Sequence, residues 1–296
     1  MSTNVKFLLP QQNRARLHPP NFDTPILINE NPGTYTNCPG LAQDSGFPMS
    51  NALVPGRNGL VWRCPPLTNN WPGGVGGDGT SVLLEIDTGT SISPQAWGVL
   101  GYRAGHSLPG SVQLWYNAQA TYNGGTSNWV QVSPSLTLGV DGVGTLVDKG
   151  ALILTPPTAR YWRFKFLSVS GSQQGFSISG LFLQTTITDL GFLYSGADET
   201  RIVPRTMVES YGRNPTFTKV GPEYRRWSLR YDNNDAALRT TFDSLFSYQA
   251  SQEPFIFLTP DGLFFECVWD DESFTRSHIW APPDRYAMTV GLRSLT

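Results

Sequence analysis

The sequence predicts a mainly β protein of two domains, an antiparallel β-sandwich followed by a small β-barrel or sheet carrying one packed helix. Three observations predict it. Runs of alternating apolar and polar residues recur from residue 22 to about 185. They are separated by loops crowded with Gly, Pro and Asn, in a chain with 30 Gly, 23 Pro and 12% aromatic but only 15% charged residues. Such a composition is rich in turn and strand formers and poor in the charges that decorate helices. A single segment, about 235–249, has a convincing helical period. At 296 residues the chain is long enough for two domains that each bury a core.

Taken in order, residues 1–21 read as an extended arm, polar and punctuated by proline after a short apolar run at Phe7, Leu8 and Leu9. That run is far short of a signal-peptide core or a membrane span, so the mature chain is expected to begin where the sequence does. The sandwich is expected over 22–185. In SVLLEID, Val82, Leu84 and Ile86 share one face; in SVQLWYN, Val112, Leu114 and Tyr116 alternate with Gln113 and Trp115; in RYWRFKF, Trp162, Phe164 and Phe166 alternate with Arg163 and Lys165. Each run has one apolar face, and many such strands joined by loops like NNWPGGVGGDG (69–79) and TYNGGTSN (121–128) predict two stacked antiparallel sheets.

The texture changes over 186–296. DAALRTTFDSLFSYQ places Asp235 at an N-cap and Leu238, Phe242, Leu245 and Phe246 on one stripe. The stripe finds its partner in the flanking strands: RRWSLRYD, with Trp227, Leu229 and Tyr231 on one face, then EPFIFLT, LFFECVWD and YAMTVGLRSL.

Charge and cysteine usage narrow the function. A formal net charge of -2 gives no general pull toward nucleic acid or an anionic membrane. The three cysteines, Cys38, Cys64 and Cys267, form no CxxC. Cys38 and Cys64 can pair in an oxidising compartment, and buried free thiols suit a chain made in a cytoplasm.

No motif specifies an enzyme. Asp87-Thr88-Gly89 is the tripeptide of aspartic peptidases, and Asp44-Ser45-Gly46 is a near-copy, but the two lie too close in sequence to head separate lobes, and the second has no apolar strand before it. The simpler reading is a strand that ends at Asp87 with Gly89 turning the chain. Gly74, Gly76 and Gly79 match G-x-G-x-x-G, yet the stretch opens a strand rather than a helix. His18, His106 and His278 are too scattered for a metal signature, and GHSLPG is one residue out of step with a nucleophile elbow. Neither metal nor cofactor is expected. A hydrolase with dispersed residues is the enzymatic alternative.

Read together, the pieces of the first domain resemble the galactose-binding-like β-sandwich of the discoidin and coagulation-factor family. The stretches are ALVPGRNGLVWRCPP, SVLLEIDTG with Thr88 in place of the usual Leu, WGVLGYRAG, SVQLWYNAQATYNGGTSNWVQV, and ARYWRFKFLSV with FSISGLFLQ, in the family's order over about 22–185. The resemblance implies a jelly roll that binds glycans, lipids or proteins through end loops, here 69–79, 103–109 and 121–128. Trp71, Arg103, His106 and Trp129 are the candidate glycan contacts, being suited to stack on or hydrogen-bond a sugar.

The second domain resembles the minor tail, distal tail and tail-tip proteins of long-tailed bacteriophages through RRWSLRYDNNDAALRTTFDSLFSYQASQEPFIFLTPDG, FECVWDDESF and the last strand, over about 205–296. That resemblance implies a non-enzymatic virion protein assembled in a host cytoplasm, whose partners are other phage tail proteins, copies of itself in a symmetric ring, and host surface glycan. Trp227, Leu238, Phe242 and Phe246 are the assembly candidates, and the arm suits strand addition to a neighbour. A carbohydrate-binding module of cellular origin is the non-viral alternative.

Overall fold

The computed structural model describes residues 6–8, 26–29, 36–37, 47, 51–52, 61–64, 81–104, 110–118, 129–139, 147–167, 176–185, 187–189, 194–209, 215–220, 223–234, 240, 255–259, 262–270, 275–279 and 285–295. The protein is mainly β, in antiparallel sheets. It divides into two compact units, Pro10–Ile187 and a discontinuous one made of Met1–Leu9 with Thr188–Thr296.

In the Pro10–Ile187 unit, β2 (Ile26–Asn29), β3 (Thr36–Asn37), β5 (Ser81–Ile92), β7 (Gly110–Asn117), β8 (Val130–Gly139) and β10 (Ala159–Leu167) form a six-stranded sheet in the order β3-β2-β5-β10-β7-β8. A five-stranded sheet contains β4 (Trp62–Cys64), β6 (Ala96–Ala104), β9 (Val147–Leu152), β11 (Phe176–Ile178) and β12 (Gly180–Gln184), with β6 at its centre. The expected alternation is present in β7 and β10: Val112, Leu114, Trp162 and Phe164 are fully buried and Phe166 nearly so. Aromatic side chains join the two sheets. Trp97 of β6 meets Phe164 edge-on at 6.0 Å between ring centroids, and Phe176 of β11 stacks on Phe166 at 4.9 Å with Trp62 of β4 edge-on to both. This interdigitation of two inner faces is what makes the unit a sandwich.

One backbone feature holds the five-stranded sheet in register. Strands β11 and β12 run in succession along β6, separated by a bend at Ser179, whose N–H and hydroxyl both donate to the Leu100 carbonyl at 2.9 and 3.1 Å. Opposite the bend Gly101 adopts φ +58°, and its N–H donates to Asp148 Oδ1 at 2.7 Å. A Cβ at Gly101 would lie 2.0 Å from Ser179 Oγ.

The reading of Asp87 as a strand end is corrected. Strand β5 runs through Asp87-Thr88-Gly89 to Ile92. Its register against β10 shifts there, the five steps from Asp87 to Ile92 facing two from Tyr161 to Ala159. The extra residues bulge. Thr88, 7% exposed, secures the bulge with its hydroxyl 2.7 Å from the carbonyl oxygens of both Thr90 and Arg160.

The second unit is an eight-stranded sheet. Its strands are β1 (Lys6–Leu8), β13 (Thr188–Asp189), β14 (Tyr194–Ile202), β17 (Tyr224–Asn234), β18 (Phe255–Leu258), β19 (Phe264–Trp269), β20 (Thr275–Ile279) and β21 (Arg285–Ser294). The order is β13-β1-β18-β19-β21-β17-β14, with β20 also on β21. Lys6 stands opposite Asp189 on one side and Leu258 on the other. Residues 6–8 of the expected arm thus form an interior strand of their own chain, since a three-residue strand flanked on both sides gains backbone bonds to β13 and β18 at once; the rest of 1–21 lies outside the described residues. A separate ribbon pairs β15 (Arg205–Glu209) with β16 (Pro215–Lys219). The core gathers Trp227, Leu229 and Tyr231 of β17, Phe255 and Phe257 of β18, Cys267 of β19, and Met288, Val290 and Leu292 of β21. Of the helix expected at 235–249, Thr240 is helical and the remainder lies outside the described residues. Among the described residues no helix is long and apolar enough to cross a membrane.

Gly101→Ala is expected to destabilise the sandwich by about 1–3 kcal/mol, through a left-handed backbone that Ala resists and a clash with Ser179. Urea unfolding followed by tryptophan fluorescence measures it, and against a Ser179→Ala background, which lacks the Oγ, the same substitution is expected to cost less.

Candidate functional site

Register decides which strand ends lie together. In the six-stranded sheet Ser81, Leu167 and Ser111 stand in one row, so segments 69–79 and 105–109 attach to strands at that end. Tyr161 and Asn117 face each other at the opposite end, and Tyr116 faces Val130, so 121–128 attaches there. The three loops expected to surround one ligand therefore spring from opposite ends of the sandwich.

The candidate residues follow the same division. Arg103 is exposed on β6 opposite Ser177 of β11, and the adjoining pair Ala104 and Phe176 lies at the end marked by Phe166. Trp129 immediately precedes β8, at the other end and in the other sheet. Arg103 and Trp129 are not brought together. Trp71 and His106 lie outside the described residues.

Trp129 has a definite local task. Strand β7 separates β8 from β10, yet the Trp129 ring reaches across it to lie 3.7 Å from the Arg163 guanidinium carbon. Arg163 points away from the core between Trp162 and Phe164 and is nevertheless only 5% exposed. The indole shields a cation on the outer face of the sheet, so one face of the ring is already occupied. Beside it, Lys165 Nζ lies 5.9 Å from the centroid of Trp115, whose Nε1–H donates to Gln113 Oε1 at 3.1 Å.

At the same end of the sandwich as Trp129 lies an open groove of about 360 Å³, a volume suited to a small ligand. Tyr116 and Val132 contribute from β7 and β8, Gln131 and Pro134 from β8, and Leu154 and Pro157 from the segment after β9. Tyr116 is held in place by Trp162, 5.9 Å away. Gln131 donates from Nε2 to Ser135 Oγ at 2.9 Å. Leu154 stands 96% exposed on the rim. An aromatic ring, two prolines, an amide and the Thr155 hydroxyl offer apolar contact together with hydrogen bonds, the mixture that a sugar ring presents in return. In the sequence Tyr116 reads as part of the apolar face of its strand, and Gln131 and Leu154 carry no mark as site residues. The available signal was Thr155-Pro156-Pro157, which ends β9 and leaves the preceding leucine outside the core.

In the other unit, Trp227 is 3% exposed, packed on Phe257 and Phe265 at 5.3 and 4.9 Å, and its Nε1–H donates to Glu199 Oε2 at 3.2 Å. Arg225 donates to Glu199 Oε1 at 2.8 Å. Trp227 is a core residue of its own unit. Leu238, Phe242 and Phe246 lie outside the described residues, as does Asp44. Among the described residues no group of His, Cys, Asp or Glu is placed to hold a metal ion.

No protein-family model matches the chain, and no curated protein matches it. Among solved structures it is similar to chitosan-binding module 1 from a chitosanase/glucanase of Paenibacillus sp. IK-5, at 16% identity over 49% of this chain and 89% of that one, with a TM-score of 0.34. The family 32 carbohydrate-binding module of Clostridium perfringens NanJ, solved with galactose, matches at 14% identity over 56% of this chain and 100% of that one, with a TM-score of 0.33. A chain of a native gene transfer agent virion matches at 12% identity over 36% of this chain and 83% of that one, with a TM-score of 0.27. Likeness of this degree carries no argument about what the chain binds.

Trp129→Ala is expected to leave the sandwich folded but cost about 1–2 kcal/mol, since it uncovers Arg163 and removes a stacked cation–aromatic pair. Chemical denaturation measures the loss, and in an Arg163→Met background the same substitution should cost measurably less.

Proposed function

We propose that this chain is a structural component of a bacteriophage tail tip. The unit formed by residues 1–9 and 188–296 contributes to a symmetric ring with copies of itself and other tail proteins, and the sandwich is displayed to meet host surface glycan. One observation supports this reading most: the sandwich is an insertion. The chain leaves its second unit after β1 and returns at β13, and these are antiparallel neighbours, Lys6 opposite Asp189. An insertion between adjacent strands leaves the host ladder unbroken while adding a module with its own core, so assembly and recognition can be divided between units. A carbohydrate-binding module protein of cellular origin is the second reading, and the groove beside Tyr116 favours it.

Light scattering and negative-stain microscopy of the full chain, alone and co-expressed with candidate tail proteins, test the first reading. It predicts a defined oligomer with closed rotational symmetry or stable co-assembly, whereas a monomer that joins no particle contradicts it. Glycan binding is tested separately by calorimetry with β-galactosides and chitosan oligosaccharides. Leu154→Asp and Gln131→Ala are expected to weaken it at least about tenfold with little change in thermal stability, because both side chains are exposed. Binding that is absent in the wild type, or indifferent to both changes, removes the groove from the account.

A further inference from the structure

Strands β15 and β16 form a ribbon that pairs with no third strand among the described residues. The ribbon prolongs the β14–β17 pair: Ile202 stands opposite Tyr224, and a little further out the Val220 N–H donates to the Pro204 carbonyl at 3.0 Å. Two strands alone are marginal in water without a further strand or surface to cover them. Arg205, Thr206 and Lys219 are exposed, and so is Val220, at 63%.

The Val220–Pro204 bond fixes the phase of the ribbon's ladder. Opposed residues in an antiparallel pair alternate between those that exchange hydrogen bonds and those that do not. Pro204, Thr206 and Val208 therefore turn their backbone groups toward β16, and Arg205, Met207 and Glu209 turn theirs outward. On β16 the outward residues are Pro215, Phe217 and Lys219. Proline has no N–H, so the outer edge of β16 lacks a donor and is a poor template. The outer edge of β15 keeps every donor and acceptor.

Charge selects what occupies that edge. Within the ribbon Arg205 stands directly opposite Lys219, an unfavourable pairing of like charges. When two β15 strands lie antiparallel about a two-fold axis at Met207, Met207 meets the partner's Met207 and Arg205 meets the partner's Glu209, once on each side of the axis. Every outward backbone group of Arg205, Met207 and Glu209 is then paired, and each Arg205–Lys219 row receives an acid. We propose that two copies of this chain associate edge to edge through Arg205–Glu209, joining their ribbons into a four-stranded antiparallel sheet. The contact is isologous, with the same five residues on both sides.

Sedimentation equilibrium of the full chain over a range of concentrations tests the contact. A concentration-dependent dimer is expected, with its dissociation constant raised at least about tenfold by Arg205→Glu and likewise by Glu209→Arg. The combination R205E/E209R restores opposite charges and is expected to return the constant to within about threefold of wild type. Arg205→Glu also faces its own Lys219 with an opposite charge, so a loss of dimer in that variant is not a loss of the ribbon. Met207→Pro removes an outward N–H and no bond inside the ribbon, and is expected to abolish the dimer. A chain that is monomeric throughout, a dimer unmoved by R205E, or a double variant as weak as the singles overturns the proposal. The contact does not rest on the tail-tip reading, since a ring that persists unchanged in R205E would refute the contact and leave the ring.

Discussion

Three residues near the N-terminus, Lys6 to Leu8, constrain the whole architecture. Their backbones pair with Asp189 and Thr188 on one side and with Leu258, Phe257 and Ile256 on the other. An interior strand cannot be left out of a sheet without exposing two ladders of unpaired groups. Because this strand comes from the far side of a module of well over a hundred residues, the second unit is complete only after the sandwich between its halves has been traversed. The pairing of Lys6 with Asp189 keeps the two ends of the inserted module on neighbouring strands, which is why the sandwich can carry an independent core.

Within the sandwich, the aromatic contacts between sheets decide which side chains are left outside the core. Trp97, Phe164, Trp62, Phe166 and Phe176 lock the two inner faces together. The outward residues of β10 are then forced onto a surface that Trp129 must partly cover. Beyond the end of β9 the chain bends at Leu154 and Thr155 ahead of Pro156 and Pro157, Leu154 stays outside the core, and the groove beside Tyr116 opens. Packing and the course of the chain thereby leave an open groove at one end of the unit.

The parts of the fold that were legible in the sequence are those where burial on one face imposes a period of two. Val112 and Leu114, Trp162 and Phe164, and Trp227, Leu229 and Tyr231 alternate in sequence because the opposite faces of their strands are not core. Strand β18 shows the limit, since Phe255, Ile256, Phe257 and Leu258 are all buried and leave no alternation to read. The continuation of β5 through Asp-Thr-Gly was hidden because it depends on Thr88 bonding to Arg160, 72 residues away. The place of Lys6–Leu8 in a sheet was hidden for the same reason, as long-range pairing leaves no local mark. Residue types such as Arg103 and Trp129 suggested sugar contacts, but only the register of Ser111 with Leu167 and of Asn117 with Tyr161 reveals that they stand at opposite ends.

Hydrogen exchange on the full chain and on a variant lacking residues 1–9 tests the insertion most directly. The truncation is expected to strip protection from the amides of Ile256 and Leu258, whose N–H groups face β1, and of Thr188, while Phe257, whose N–H faces β19, and 159–167 in the sandwich exchange as before. Unchanged protection at 256 and 258, or a loss spread equally over both units, would contradict the insertion.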